Sequence, residues 1–273
     1  MNNLNKCIMV ILISIILYSI GVSSNSFNLL REPMENHNLK LQSYVINMDK
    51  DNERYDNFMN SYMKSDVSKK PILRFSGVVG KTEKPDNFLT TDSLNELKKI
   101  EKRGYRTYHH SLTRGGLGCF LSHSNLAKQL LSDTTNDAYL IFEDDTTILP
   151  FTYNKITDAL NNLPDDWDMV LFYTIRAVGR KSNNYFNKLK SFWGMNCYII
   201  NKKGAKKIID EVKLNKIDGQ IDCYLSRMIQ QDKLNVYSSK IHYVSCNSKD
   251  TNIQTLLKPI KGIDPYDFKG YKM

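Results

Sequence analysis

Strand-like apolar runs alternate with helix-periodic segments along most of this chain, and that alternation limits the possible folds more than any other feature. "LQSYVINMD" reads as a strand, and "KDNERYDNFMNSYMK" as a helix with Tyr55, Phe58, Met59 and Tyr62 on one face. "ILRFSGVVG" is a second strand, "TDSLNELKKIEKR" a helix opened by a Thr/Asp cap, and "GGLGCFLSHSNLAKQLLSD" a helix entered through glycines. "AYLIFED", "WDMVLFY" and "WGMNCYIIN" read as further strands, with "KKGAKKIIDEVK" and "IDCYLSRMIQQD" as helices. "LNVYSSKIHYVS" closes with strand character. Strands separated by helices specify an α/β domain, Rossmann-like, with a mostly parallel sheet flanked by helices. Sheets of that kind bind ligands beyond the carboxyl ends of their strands.

One strand end carries an unusual load. In "AYLIFEDDTTILP" the apolar run stops at Glu143, Asp144 and Asp145, and Pro150 follows. As a solvated turn these acids need no partner, but the buried run before them places them at the mouth of a core strand. Adjacent residues on extended backbone point to opposite faces, so Asp144 and Asp145 make a poor acid/base pair. Glu143 and Asp145, two apart, point the same way. Two carboxylates on one side of a strand end suit a hard divalent ion with oxygen ligands, Mn²⁺ or Mg²⁺, shared with a diphosphate.

The N-terminus is of different composition. Lys6 precedes an apolar stretch over residues 7–22, shorter than the roughly 20 residues of a relaxed bilayer-spanning helix and longer than the roughly 7–15 of most signal-peptide cores. Its length favours a signal anchor (residues 7–24, behind a short tail, 1–6) followed by a stem (25–40). The small residues of "GVSSNS" leave open a cleaved signal, which would make the protein secreted. Either way the bulk of the chain is expected on the lumenal or extracytoplasmic side, held at the membrane by one span in the first case. The formal charge of +9 suits an anionic partner, but the lysines are scattered and no dense Lys/Arg block with interleaved aromatics appears, so nucleic acid is not expected. Five cysteines, Cys7 among them, show no metal-finger spacing; Cys119 and Cys197 sit in apolar runs and read as buried thiols.

Seven segments, "YVINMDKDNER", "FSGVVGK", "GCFLSHSNLAKQLL", "YLIFEDDTTI", "DWDMVLF", "CYIINKKGAKKII" and "IDCYL", occur in an order that resembles glycosyltransferase family 25, which includes lipopolysaccharide-chain glycosyltransferases and collagen galactosyltransferases. The resemblance runs over about 41–252, leaving 253–273 as a C-terminal tail. It implies a GT-A type fold and transfer of a hexose, such as galactose or glucose, from a nucleotide sugar such as a UDP-hexose to a hydroxyl of a glycan, a lipid-linked saccharide or a protein. By similarity, Glu143, Asp144 and Asp145 take the place of the acidic signature that holds the metal and the donor diphosphate. Asp222, near a helix start, falls at the position of a general base, with Asp218 as its nearest competitor; a helix cap would also explain an acid there. Arg54 matches an arginine expected near a donor phosphate or base, and Ser122 and His123 match a site-lining pair. Gly194, beside Trp193 at the head of a strand, would let the donor sugar approach the backbone, and His242 is a candidate third metal ligand.

Two other classes stay open on the residues alone. A metal-dependent phosphotransferase or hydrolase could use the same carboxylates, though the chain has no P-loop and no second acidic-histidine cluster. A catalytically silent, membrane-anchored glycan-binding protein is the other, and the intact Glu143/Asp145 pair speaks against it.

Overall fold

The central sheet has eight strands in the order β2-β1-β3-β8-β5-β9-β7-β6, a topology that follows from the alternation of strands and helices along the chain. These strands are β1 (Leu41–Asn47), β2 (Ile72–Ser76), β3 (Ala138–Glu143), β5 (Met169–Leu171), β6 (Arg176–Lys181), β7 (Phe186–Trp193), β8 (Cys197–Asn201) and β9 (Val236–Ser239). A separate antiparallel pair joins β4 (Thr146–Ile148) to β10 (Val244–Cys246). The helices are α1 (Asn52–Met63), α2 (Thr91–Arg103), α3 (Arg114–Ser132), α4 (Thr152–Leu160), α5 (Lys202–Asn215) and α6 (Ile221–Gln230). This computed structural model describes residues 39–246 together with Leu257, Lys258 and Lys261. The apolar stretch 7–22, the rest of the expected anchor and nearly all of the stem lie outside the described residues, as does most of the expected C-terminal tail. Among the described residues no helix is long and apolar enough to cross a membrane.

The sheet is mixed but runs mainly one way. β1 pairs in parallel with β2 and β3, and β5 with β9. β8 runs against both β3 and β5, and β7 against β9 and β6. Only β8 and β7 are therefore reversed. The parallel trio β2-β1-β3 opens its three carboxyl ends onto one edge, and the loops that follow them build the site.

Strand alternation divides the core into two layers. On β3, Tyr139 and Ile141 join the cluster formed with Leu117 and Phe120 of α3, Ala205 and Ile208 of α5, and Tyr224 and Leu225 of α6. Ala138, Leu140 and Phe142 face the other way, against Phe58 and Tyr62 of α1 and Ile156 and Ala159 of α4. The result is helix, sheet, helix. Each layer buries one face of the same strand, which is why β3 reads as continuously apolar.

The segment "WGMNCYIIN" does not form one strand. Trp193 ends β7, Gly194 takes a left-handed φ of +79°, and β8 begins only at Cys197. A positive φ at that corner requires glycine, and the turn reverses the chain. The hairpin β6–β7 and helix α4 have no counterpart among the elements expected from the sequence.

The glycines that open α3 act on a loop rather than on the sheet. A methyl group on Gly118 would lie 2.3 Å from the Val78 carbonyl oxygen and 2.8 Å from the Gly80 nitrogen, both backbone atoms. Ser122 Oγ accepts from Val78 N at 2.8 Å, tying the same loop to the helix. Because backbone cannot step aside as a side chain can, Gly118→Ala should destabilise the domain by about 1–3 kcal/mol, the usual range for overpacking. Thermal or urea melts check this, and an unchanged midpoint would show that the loop is not clamped to the helix.

Candidate functional site

A pocket of ≈ 360 Å³ lies at the carboxyl ends of the parallel trio. Residues 46–48, 50 and 51 at and after the end of β1, 77–81 after β2 and 143–145 at the end of β3 line it, with Arg54 of α1 and Gly115, Cys119, Ser122 and His123 of α3. This is where a sheet of this kind presents ligand-binding loops.

The three acids divide between the two layers as the strand alternation dictates. Glu143 continues the Tyr139, Ile141 series toward α3, and its Oε1 lies 3.2 Å from His123 Nε2. Asp144 continues the Leu140, Phe142 series toward α1, where it accepts from the Arg54 guanidinium and, at 2.6 Å, from Asn47 Nδ2. Asp145 turns back toward Glu143, and the two share one donor. Asn196 Nδ2 reaches Glu143 Oε2 at 3.1 Å and Asp145 Oδ1 at 2.8 Å. The Arg54 guanidinium also lies 3.7 Å from Asp145 Oδ2. Asn196 is held in turn by the sheet, its carbonyl accepting from Glu143 N at 2.9 Å and Thr146 Oγ1 at 3.0 Å.

His123 is buried and fixed at both ring nitrogens, with Nδ1 2.8 Å from Tyr198 Oη. Ser122 is buried as well and donates to the Gly118 carbonyl. Neither Asn196 nor Tyr198 was picked out from the sequence. Both sit in or beside β8, whose register against β3 carries them to the acids, and a register is not readable from β8 alone.

Asp222, Gly194 and His242 are not among the lining residues. Asp222 is buried at the start of α6, where its carboxylate accepts from Gly194 N at 3.1 Å and from its own Cys223 N at 2.8 Å. Burial raises its carboxyl above the usual range, and the charge of Glu143 adds to the effect. Gly194 therefore answers to backbone conformation and this hydrogen bond rather than to an approaching sugar. Asp218, the competitor, forms an ion pair with Arg227. His242 is exposed and packs on the Tyr173 ring at 4.9 Å. Arg54 bridges Asp144 and Asp145, and Asn196 bridges Glu143 and Asp145.

A hard cation fits this donor set. Two carboxylates converge on one side chain at the pocket's inner end, and the Arg54 guanidinium is the cation paired with Asp144 and Asp145 among the described residues. The site class is thus an α/β ligand pocket with an acidic, metal-competent floor. A family model described as glycosyltransferase family 25 (LPS biosynthesis protein) matches residues 40–225, and the chain belongs to that family. It is 26% identical over 186 residues to a glycosyltransferase 25 family member of Aedes aegypti, covering 64% of this chain and 28% of that protein. It is 25% identical over 226 residues to procollagen galactosyltransferase 2 of Homo sapiens, covering 78% of this chain and 34% of that one. The chain thus matches about a third or less of these relatives' length. Among solved structures, GalNAc-T7 with UDP, GalNAc and Mn²⁺ gives a TM-score of 0.49 at 12% identity, over 87% of this chain and 48% of that one, and no argument rests on it.

The acids place a pH signature on the protein without metal. Burial, and next the charge of Glu143, push the Asp145 carboxyl up from 3.8 to about 7. A folded-state value above the unfolded one means that the folded protein holds the proton more tightly. The stability this contributes is present below the unfolded value and is lost as pH rises through about 7. Asp145→Asn, which keeps an acceptor for Asn196, should raise the metal-free melting temperature over wild type at about pH 8 and bring a much smaller gain at about pH 5. Equal differences at the two pH values would contradict the burial of this charge.

Proposed function

We propose that this chain is a GT-A type hexosyltransferase that moves a sugar from a nucleoside-diphosphate donor to an acceptor hydroxyl. The observation that carries the reading is the convergence of Glu143 and Asp145 on Asn196 inside a pocket also lined by Lys50, Lys81 and Arg54. Carboxylates alone would repel a diphosphate. Carboxylates able to share a divalent ion, beside cationic side chains, attract one. Family membership agrees with this chemistry, and the procollagen galactosyltransferases among the relatives make a protein or glycan hydroxyl a suitable acceptor.

Glu143 and Asp145 would hold Mn²⁺ or Mg²⁺, which when bound supplies Lewis-acid stabilisation of the charge on the departing nucleotide. Arg54 fixes Asp144 and so positions the turn that carries Asp145. Ser122 and the Gly80/Gly118 contact hold the loop after β2 that forms another wall. His123, set by Tyr198, fixes the Glu143 carboxylate through Oε1.

The proton of the acceptor hydroxyl must go to a base during inverting transfer. We assign that role to Asp222. Burial raises its carboxyl, the charge of Glu143 adds to the effect, and from the first turn of α6 it accepts from Gly194 N at 3.1 Å.

Nucleotide sugars tested with the full chain and Mn²⁺ should show hydrolysis or transfer for a UDP-hexose and none when the ion is chelated. Asp222→Asn in the same assay should lower transfer by roughly 10²-fold or more while UDP still stabilises the protein against heat. No turnover of any nucleotide sugar, with hydrolysis of simple phosphate esters instead, would overturn the reading. A fully active Asp222→Asn would leave Asp222 only its hold on Gly194.

A further inference from the structure

The sequence reading leaves Cys119 as a buried thiol, yet the structure places it partly exposed at the pocket, on the wall that carries His123. The two residues are four apart on α3 and so share one helix face. Ligand atoms of Cys119, His123 and Glu143 all lie within 4.8 Å of one another. We propose that these three residues form a binding site for a thiophilic divalent ion, Zn²⁺ in chemical class, which shares Glu143 with the hard-ion pair of Glu143 and Asp145 and takes its other ligands from α3.

Three features of the geometry support it. Sulfur, imidazole nitrogen and carboxylate oxygen together are a zinc-type donor set, and a thiolate selects against Mn²⁺ and Mg²⁺. The ligands are also oriented by partners outside the set. Tyr198 Oη lies 2.8 Å from His123 Nδ1 and Asn196 holds Glu143 Oε2, so an ion takes the place of the contact between His123 Nε2 and Glu143 Oε1. Ligating histidines and carboxylates in metal sites are held in this way. Finally, His123 Nε2 and Glu143 Oε1 are already 3.2 Å apart, close to the spacing of two ligands on one tetrahedral ion. The Cys119 sulfur lies within 4.8 Å of both, its side chain has one torsion with which to close on them, and the fourth position opens into the pocket.

Binding takes the proton from the Cys119 thiol and releases it to solvent, so affinity rises with pH. Because Glu143 belongs to both ligand sets, Zn²⁺ here and a donor diphosphate held by a hard ion exclude one another. That antagonism rests on the donor-binding reading; the site itself does not.

The test is a Co²⁺ titration of the metal-free, reduced full chain, followed by absorption. Wild type should develop a near-ultraviolet thiolate-to-cobalt band and the intense visible bands of a tetrahedral ion, reversed by Zn²⁺. Cys119→Ser should lose the thiolate band, while Cys197→Ser and Cys246→Ser keep it. Should Cys119→Ser fail to fold, peptide mass spectrometry of wild type decides: Zn²⁺ should protect Cys119 from alkylation, and Mn²⁺ should not. A spectrum without a thiolate band, a band that survives Cys119→Ser, or alkylation of Cys119 indifferent to Zn²⁺ overturns the proposal, whether or not the protein binds UDP.

Discussion

Three carboxylates at the end of one buried strand must each find a partner without cancelling the charge that makes them useful. The pleat of β3 solves the first half of that problem by sending Glu143 and Asp144 to opposite layers. Asp144 meets Arg54 and Asn47 on the α1 side, and Glu143 meets His123 on the α3 side. Asp145, past the strand end, shares the Asn196 amide and has the Arg54 guanidinium 3.7 Å away, and burial with the charge of Glu143 outweighs both and raises its proton affinity. The remaining structure follows from holding this arrangement in place. β8 inserts antiparallel beside β3 and delivers Asn196 and Tyr198, and α3 is clamped to the β2 loop so that its His123 face stays at the pocket wall.

The arrangement concentrates negative charge and holds it in place with neutral and cationic partners. Asn196 donates to both acids and so neutralises neither, which preserves their attraction for a divalent ion while preventing one from swinging away. A protonated Asp145 is the apo state's own solution to the repulsion, and an ion supplies the other. Cys119 places a soft donor atom on the same wall, within 4.8 Å of the Glu143 carboxylate.

Much of this was legible in the residues. β1, β3, and the helices α1, α2, α3, α5 and α6 follow their periodicity and caps; Thr113 accepts from Gly116 N at the start of α3, and Asn201 from Gly204 N at the start of α5. The two-apart argument for Glu143 and Asp145 also agrees with their shared donor. Other elements left no local trace. Helix α4 is capped from a distance, by Asp66 accepting from Tyr153 and Asn154 nitrogens, and starts from Phe151 in the left-handed region. β6 is exposed along its whole length, and a register shift between Val178 and Gly179 breaks the alternation of its hairpin with β7. Gly194 stands out in the sequence as a small residue beside Trp193, but its left-handed corner and its hydrogen bond to Asp222 do not. Asn196, the group on which the acids converge, is an ordinary asparagine in sequence and gains its place only through pairing of strands more than 50 residues apart.

The central claim is that Glu143 and Asp145 bind a nucleoside diphosphate through a shared divalent ion. Titration calorimetry of UDP, with and without saturating Mn²⁺, tests it most directly when wild type is compared with the Glu143→Gln, Asp145→Asn double variant. The account predicts tight binding by wild type only with Mn²⁺ and, in the double variant, the same weak binding under both conditions. Ion-independent binding by wild type, or an undiminished Mn²⁺ effect in the double variant, would contradict it.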